Sequence, residues 1–143
     1  MTKRSKMGDG RRRFGIGYVN TGVFSEKEMS SLLEQGRAVQ IHAPFPMNIC
    51  RSKGDKERLE RVLKFASFLG VRLVTLHPEA AYAFCTEVRH LIAYAEHLGV
   101  KLAIENVPET TASDMQRLFR ELQGYDGRVG MCLDVGHANL HYG

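Results

Sequence analysis

The feature that most constrains this chain is a set of four short apolar runs, each followed by a residue type that binds metal ions. The runs VQI, LVTL, KLAI and GMCL lead directly to His42, His77, Glu105 and Asp134. Continuous apolar runs of this length are typical of strands that are covered on both faces, as in a parallel sheet. The sequence therefore predicts a parallel sheet whose strands end in polar, metal-ligating residues.

The predicted strands alternate with amphipathic segments that have helical spacing, and the unit recurs about every 30 residues, the length of a βαβ unit. We predict strands at residues 14–19, 38–42, 71–76, 100–104 and 129–133. Strands that alternate with helices are typical of an α/β fold. The chain has 143 residues, whereas a complete eight-stranded barrel has roughly 200 to 250. About five βα units of such a barrel are therefore expected.

Glycines and capping residues predict the limits of the helices. Ser25 with Glu28, and Ser113 with Gln116, have the three-residue spacing of a capping box. Another helix is predicted to begin near Asp55. A glycine follows the apolar face of each predicted helix, at Gly36, Gly70, Gly99 and Gly124.

The start of the chain is strongly basic and contributes much of the net charge of +4. Such a run attracts phosphate, but no aromatic residue is interleaved with it, as is usual in platforms that bind single-stranded nucleic acid. We predict a disordered basic leader at residues 1–13 and a partial barrel domain at residues 14–143. The basic residues of the leader are Lys3, Arg4, Lys6, Arg11, Arg12 and Arg13.

Hydropathy and cysteine usage indicate the compartment. No apolar run approaches the roughly 20 residues that cross a bilayer, and the polar start has no apolar stretch typical of a secretory signal. We therefore expect a cytoplasmic protein with no membrane partner. Cys50, Cys85 and Cys132 form no Cys-x-x-Cys pair, so neither a disulfide framework nor a zinc ribbon is indicated. We expect these cysteines to be reduced.

The polar residues at the strand ends form the candidate site. In parallel α/β barrels the carboxyl ends of the strands form the active-site face, so His42, His77, Glu105 and Asp134 are expected to surround one small volume. Each also has a structural explanation, because a histidine there is often simply hydrogen-bonded and a carboxylate is often a helix N-cap. Their occurrence on consecutive strands favours a metal site. Imidazoles combined with carboxylates suit zinc, manganese or iron better than calcium.

Four segments, IHAPF, LHP, AIENVP and CLDVGHAN, resemble the strand-end motifs of the xylose isomerase-like TIM barrel superfamily. They occur in the order of that family, from about Val39 to Asn139. The superfamily includes sugar phosphate isomerases and epimerases and apurinic-site nucleases of the endonuclease IV type. The resemblance implies a (β/α)8 TIM barrel, present here as a partial barrel, and a divalent metal: Mn or Zn, with Fe, Co or Mg as alternatives.

The resemblance also implies roles for individual residues. Glu105 and Asp134 are similar to metal ligands of both branches. In the nuclease branch, residues like His42 and His77 join the glutamate around zinc, and one like His137 binds a further zinc. In the epimerase branch, positions like His137 contact substrate, here on an expected loop above the sheet. We predict Glu105 and His137 as catalytic, and Asn106 as a group that hydrogen-bonds either to the substrate or to a metal ligand. The predicted metal ligands are His42, His77, Glu105, Asp134 and His137.

The resemblance suggests what the chain does. We expect a metal-dependent isomerase or epimerase that moves a proton next to the carbonyl of a small sugar or sugar phosphate, because LGVKLAIENVP and CLDVGHAN are most similar to that branch. The alternative is a zinc-dependent apurinic/apyrimidinic endonuclease, whose partner would be nucleic acid.

A second alternative is an inactive, truncated metal-binding fragment. The later strands of the family's barrel, with a further histidine and glutamate, do not follow Gly143, so activity of the chain alone is left open. An open sheet of about five strands leaves two unpaired edges, and self-association through them is expected.

Overall fold

The computed structural model describes residues 27, 31, 34, 40–78 and 86–142, without the side chains of residues 141 and 142. Within these ranges, strands and helices alternate along the chain. The strands are β1 (Ile41–His42), β2 (Leu73–Leu76), β3 (Lys101–Glu105) and β4 (Val129–Cys132). The helices are α1 (Lys53–Phe68), α2 (Thr86–His97), α3 (Ala112–Glu121) and α4 (Val135–Tyr142).

The strands form one parallel sheet in the order β1-β2-β3-β4, as a partial α/β barrel requires. In its register, Glu105 of β3 pairs with Cys132 of β4, and His42 of β1 pairs with Thr75 of β2. Because all the strands run in the same direction, their carboxyl ends lie along one edge of the sheet. The predicted fold class is confirmed.

The core lies between the sheet and the helices that cover one of its faces. Side chains alternate along β3, so Leu102 and Ile104 join this core while Glu105 faces the opposite side. Fully burying a leucine or valine contributes about 1.5–3 kcal/mol, whereas an exposed ion pair contributes at most about 1 kcal/mol. The apolar face therefore fixes α1 on the sheet. Its residues with no exposure are Leu59, Val62, Leu63 and Ala66.

Two helix ends agree with the sequence prediction. Gly70 and Gly99 follow α1 and α2, and their φ angles are 71° and 70°. This left-handed conformation is disfavoured for residues with a Cβ atom, which is why glycine is the usual residue after a helix.

The start of α3 differs from the prediction. The N-cap is Thr111, whose hydroxyl accepts a hydrogen bond from the backbone N–H of Asp114, while the Asp114 carboxylate accepts one from the backbone N–H of Thr111. The capping box predicted at Ser113 and Gln116 is therefore wrong. Thr111 has the extended backbone that an N-cap requires, with φ −82° and ψ 163°, and Ser113 already lies in the first turn.

The expectation of reduced cysteines is wrong for Cys50, which is disulfide-bonded. A disulfide requires two Cα atoms within about 7 Å of each other, and the spacing of cysteines along a sequence does not report that distance. Cys132 is a free thiol, and Cys85 lies outside the described residues.

Some predictions concern the start of the chain, most of which the structure does not describe. The basic leader, the strand at residues 14–19 and the capping box at Ser25 and Glu28 lie outside the described residues, so the domain boundary at residue 14 stays a prediction. Residues 27, 31 and 34 are helical, as predicted. Among the residues that are described, no helix is long and apolar enough to cross a membrane.

Candidate metal centre

Glu105 is the central residue at the carboxyl edge of the sheet. Its side chain is 12% exposed, and three imidazoles from distant parts of the chain surround its carboxylate. Nε2 of His42 lies 3.6 Å from Oε2 of Glu105, and Nε2 of His77 lies 4.0 Å from Oε1. Nδ1 of His137 lies 3.5 Å from Oε1. The structure thus brings together residues that are up to 95 positions apart in sequence, from 42 to 137.

These distances distinguish between two kinds of contact. Charge-assisted hydrogen bonds between imidazole and carboxylate are about 2.7–2.9 Å long, shorter than the observed 3.5–4.0 Å. Two ligands of one tetrahedral zinc ion, each bonded at about 2.0–2.1 Å, lie about 3.3–3.4 Å apart. The spacing of the Nε2 atoms of His42 and His77 from Glu105 is therefore closer to that of ligands around a shared ion than to that of a hydrogen-bonded network.

Two groups of possible ligands share Glu105. One consists of His42, His77 and Glu105, and the other of Glu105, Asp134 and His137. Within each group the ligand atoms lie within 4.8 Å of one another. Each group combines imidazole nitrogen with carboxylate oxygen, donors that zinc and manganese accept. The residues present therefore fit a divalent transition metal.

His42 is held in the tautomer that a ligand requires. Its Nδ1 lies 2.7 Å from the carbonyl oxygen of Ala43, and a carbonyl only accepts, so Nδ1 carries the proton. Nε2 then carries the lone pair, and Nε2 is the atom that faces Glu105. A hydrogen bond on the second nitrogen is the usual support of a metal-binding histidine.

His77 lies between the other two histidines. Its ring centroid is 4.9 Å from that of His42 and 6.4 Å from that of His137, both in edge-on geometry. Burial, and after it the neighbouring His42, lowers the pKa of His77 below its ordinary value, although Glu105 and Glu109 act in the opposite direction. His77 is therefore neutral at pH 7, the form that binds metal.

His137 lies in the first turn of α4, not on the loop that the sequence analysis expected. Asp134 caps this helix, because its Oδ1 accepts a 2.9 Å hydrogen bond from the backbone N–H of His137. The large apolar residues Val135 and Leu140 of α4 are 71% and 70% exposed. The helix therefore has no apolar face whose spacing would have predicted it from the sequence. The other carboxylate oxygen of Asp134, Oδ2, lies 3.8 Å from Nδ1 of His137. The cap therefore uses Oδ1, and Oδ2 is the oxygen that faces His137.

Asn106 is buried beside these ligands and is bound to the backbone of Asp134 at both ends of its amide. Its Nδ2 donates to the Asp134 carbonyl oxygen at 2.9 Å, and its Oδ1 accepts from the Asp134 N–H at 2.7 Å. The carbonyl oxygen of Asn106 lies 2.9 Å from Nδ1 of His137. Asn106 therefore ties the end of β3 to the start of α4, and its predicted contact with substrate stays a prediction.

Cys132 is a neighbour of the site that the sequence analysis did not select. Its Sγ lies 3.9 Å from Oε2 of Glu105. Burial raises the pKa of the Cys132 thiol, and the carboxylates of Glu105 and Asp134 raise it further, so the thiol is protonated at pH 7. The two-residue alternation of a strand places Cys132 on the same face as Asp134, a signal from which its position could have been predicted.

A cavity of about 540 Å³ opens beside the histidines. His77 and His137 form part of its wall, and the ring of Phe45 packs on His77 with centroids 4.7 Å apart. The remaining lining residues are Pro78, Val107, Pro108, Glu109 and Thr110. Within the described part of the chain, no lysine or arginine lines this cavity. Phe45 and Glu109 were not predicted as site residues, although both follow strand ends in the loops that form an active-site face.

Comparison with known proteins identifies a family and a similar solved structure. The family model described as xylose isomerase-like TIM barrel matches residues 15–143. A structure of the TTHB071 protein from Thermus thermophilus, soaked with ZnCl2, matches 85% of this chain with a TM-score of 0.64 and 22% identity. The chain spans 57% of that protein's chain, and at this identity the likeness shows the fold alone. A search of curated proteins found no significant match.

Proposed function

The chain belongs to the xylose isomerase-like TIM barrel family, and on that premise we propose that it is a metal-dependent isomerase or epimerase domain for a small sugar-like substrate. That family includes sugar isomerases and epimerases as well as endonuclease IV. The observation that carries the proposal is the cluster around Glu105, of which His77 and His137 line a cavity of about 540 Å³ with no lysine or arginine in its described lining. A cytoplasmic location stays a prediction from the sequence.

The proposed cofactor is a divalent ion, zinc or manganese, with iron, cobalt or magnesium as alternatives. When bound, such an ion polarises a carbonyl or hydroxyl oxygen and makes the proton on the neighbouring carbon more acidic. The residues that would hold it are His42, His77, Glu105, Asp134 and His137.

The side chains of the cluster have different proposed roles. Glu105 is the carboxylate that would move a proton between adjacent carbons, a step that requires it to come within hydrogen-bond reach of the substrate. His137 is 30% exposed and lies at the cavity wall, so it is the group that would contact a substrate hydroxyl. Phe45 is 48% exposed and offers an apolar surface to the C–H face of a sugar.

The charge of the cavity supports an uncharged substrate. Its described lining includes the carboxylate of Glu109 and, apart from the histidines, no group that can become cationic. Arginine and lysine are the usual side-chain partners of a phosphate group. A sugar or keto-sugar without a phosphate group is therefore favoured over a sugar phosphate.

A second candidate is the zinc-dependent apurinic-site endonuclease, which one observation favours. Glu105 belongs to both ligand groups, so it would be a ligand of both ions if two were bound, and sites with two ions are typical of nucleases and phosphatases. Binding to duplex DNA depends mainly on lysine and arginine contacts to phosphate. The described cavity lining has none, and for that reason the nuclease is the second choice.

Exchange of carbon-bound hydrogen tests the proposal. The chain would be incubated in deuterated water with Mn²⁺ or Zn²⁺ and a panel of ketoses and keto-sugars, and deuterium incorporation followed by NMR. We expect incorporation next to a carbonyl in at least one compound, with strong loss in Glu105→Gln. Glu121→Gln, at an exposed position of α3, is the matched control and should retain the exchange.

The same preparation distinguishes the alternatives. Cleavage of duplex DNA at abasic sites that depends on Glu105, without exchange in any sugar, would favour the nuclease. Metal binding with neither activity would favour the inactive metal-binding fragment.

A further inference from the structure

Asn106 makes contacts that no role in substrate binding requires. It is 6% exposed, and both hydrogen-bonding ends of its side chain are occupied by one residue, Asp134, at 2.9 and 2.7 Å. These two bonds use one N–H and one lone pair of the amide, and both of them serve the backbone of a single residue. Its contacts instead concern the positions of two candidate metal ligands, Asp134 and His137.

The first contact takes the place of the backbone hydrogen bonds that would follow if β3 and β4 were longer. The pairing between β3 and the end of β4 includes a bond from the backbone N–H of Asn106 to the carbonyl oxygen of Cys132, at 3.3 Å. Beyond Cys132 the chain leaves the sheet and enters α4. The side-chain amide of Asn106 then accepts from and donates to the backbone of Asp134, as a peptide group of a longer strand would. The backbone of Asp134 is thereby held at a fixed position relative to Glu105.

This attachment determines which oxygen of Asp134 is available. With the backbone held by Asn106, Oδ1 accepts the N–H of His137 at the start of α4. Oδ2 is the oxygen left to face the site, 3.8 Å from the ring of His137. A shift of the backbone would change the direction of this oxygen.

The second contact concerns the imidazole of His137. Its Nδ1 lies 2.9 Å from the carbonyl oxygen of Asn106, closer than to Glu105 at 3.5 Å or to Asp134 at 3.8 Å. Because a carbonyl only accepts, Nδ1 donates, so Nε2 and not Nδ1 is the atom through which His137 would bind a metal. The tautomer of His137 therefore depends on where α4 begins relative to Asn106.

We propose that Asn106 is a positioning residue that fixes the backbone of Asp134 and the tautomer of His137, so that metal binding depends on Asn106 although its side chain is not a ligand. The inference rests on one part of the proposed function, namely that the site binds a metal. The tautomer of His137 can be measured without metal, so the two can fail independently.

Zinc titration by calorimetry and ¹⁵N NMR of the histidines test this on the full chain. Asn106→Ala removes both side-chain bonds, and Asn106→Asp keeps the shape but replaces the donor by a carboxylate oxygen, which repels the Asp134 carbonyl oxygen and adds a negative charge. We expect zinc affinity to fall roughly 10- to 100-fold in both variants, as is usual when an outer support of a ligand is lost. In the metal-free state, we expect the Nδ1–H signature of His137 to give way to a mixture of tautomers.

Thr111→Ala is the matched control, because it removes the N-cap of α3 and lowers stability without touching the candidate ligands. We expect it to bind zinc as the unmodified chain does. An equal loss of affinity in Thr111→Ala would overturn the inference, since the loss would then reflect general stability. Asn106 variants with unchanged zinc affinity and an unchanged His137 signature would also overturn it. If the variants weaken only substrate binding, Asn106 is a substrate contact instead.

If the unmodified chain binds no zinc, the proposed function fails. The metal-free signature of His137 in the two Asn106 variants then decides the positioning role by itself.

Discussion

The backbone N–H of His137 donates a 2.9 Å hydrogen bond to Oδ1 of Asp134, so one candidate ligand caps the helix that carries another. Oδ2 of the same carboxylate faces the ring of His137 at 3.8 Å. An aspartate N-cap stabilises a helix by about 1 kcal/mol relative to alanine. Asp134 therefore combines a structural and a chemical role that substitutions can separate.

Asp134→Asn should keep the cap and weaken the metal site, because asparagine caps helices as well as aspartate does but has no negative charge. We expect the free energy of unfolding of the metal-free protein to change by less than about 0.5 kcal/mol, and Asp134→Ala to lose about 1 kcal/mol. Urea denaturation with a chelator measures stability, and calorimetric titration measures zinc affinity. If Asp134→Asn binds zinc like the unmodified chain, Asp134 is only a cap.

The metal-free protein should lose stability on acidification because of His77. Burial first, and then the neighbouring His42 and His137, hold the pKa of His77 in the folded state below its ordinary value of 6.5, against the opposing effect of Glu105 and Glu109. The unfolded chain thus takes up a proton at a higher pH than the folded chain, and this favours unfolding as the pH falls below about 6.5. Above that pH both states are neutral and the effect disappears.

The measurement is urea denaturation at pH 8 and pH 5 in the presence of a chelator. His77→Gln should show a smaller loss of stability between the two pH values than the unmodified chain. His90→Gln, at an exposed position of α2, is the control and should show the same loss as the unmodified chain. An identical loss in His77→Gln would mean that His77 does not contribute.

Much of the fold and of the site could be predicted because the signals are local. The apolar runs identify the strands, and the polar residue that ends each run identifies Glu105 and its neighbours. Parallel strand direction then brings these residues to one edge of the sheet. Glycines 70 and 99 end helices because they adopt a left-handed backbone conformation, a preference that is visible in the sequence.

The remaining features depend on contacts that a linear pattern does not contain. Helix α4 has no buried apolar face to give it a periodicity, and it forms at a capping residue that is also a candidate ligand. The amide of Asn106 finds the backbone of Asp134, 28 residues away, only because the chain turns into α4 at that point. The cap at Thr111 overlaps a second cap signature at Ser113, and only the backbone conformation distinguishes them.

The purified chain should associate with itself. Strand β4 lies at one edge of the described sheet, and Met131 and Leu133 at this edge are 50% and 63% exposed. Unpaired strand edges with apolar side chains promote association. We expect light scattering to give a mass above that of one chain, and Leu133→Lys to lower it.

Phe68→Lys is the control for this experiment, because Phe68 is 73% exposed at the end of α1 and should not affect association through β4. A compact monomer with a sharp cooperative melt would show that the open edge is covered in another way.

The central claim is that Glu105 and Asp134 belong to a divalent metal site, and metal titration of the double variant Glu105→Gln with Asp134→Asn tests it most directly. Each substitution keeps the shape of the side chain and removes its charge. Calorimetric titration with Zn²⁺ and with Mn²⁺ would compare this variant with the unmodified chain, after both have been treated with a chelator. The account predicts that the unmodified chain binds and that the double variant loses most of this binding. Equal binding by the two proteins would contradict it.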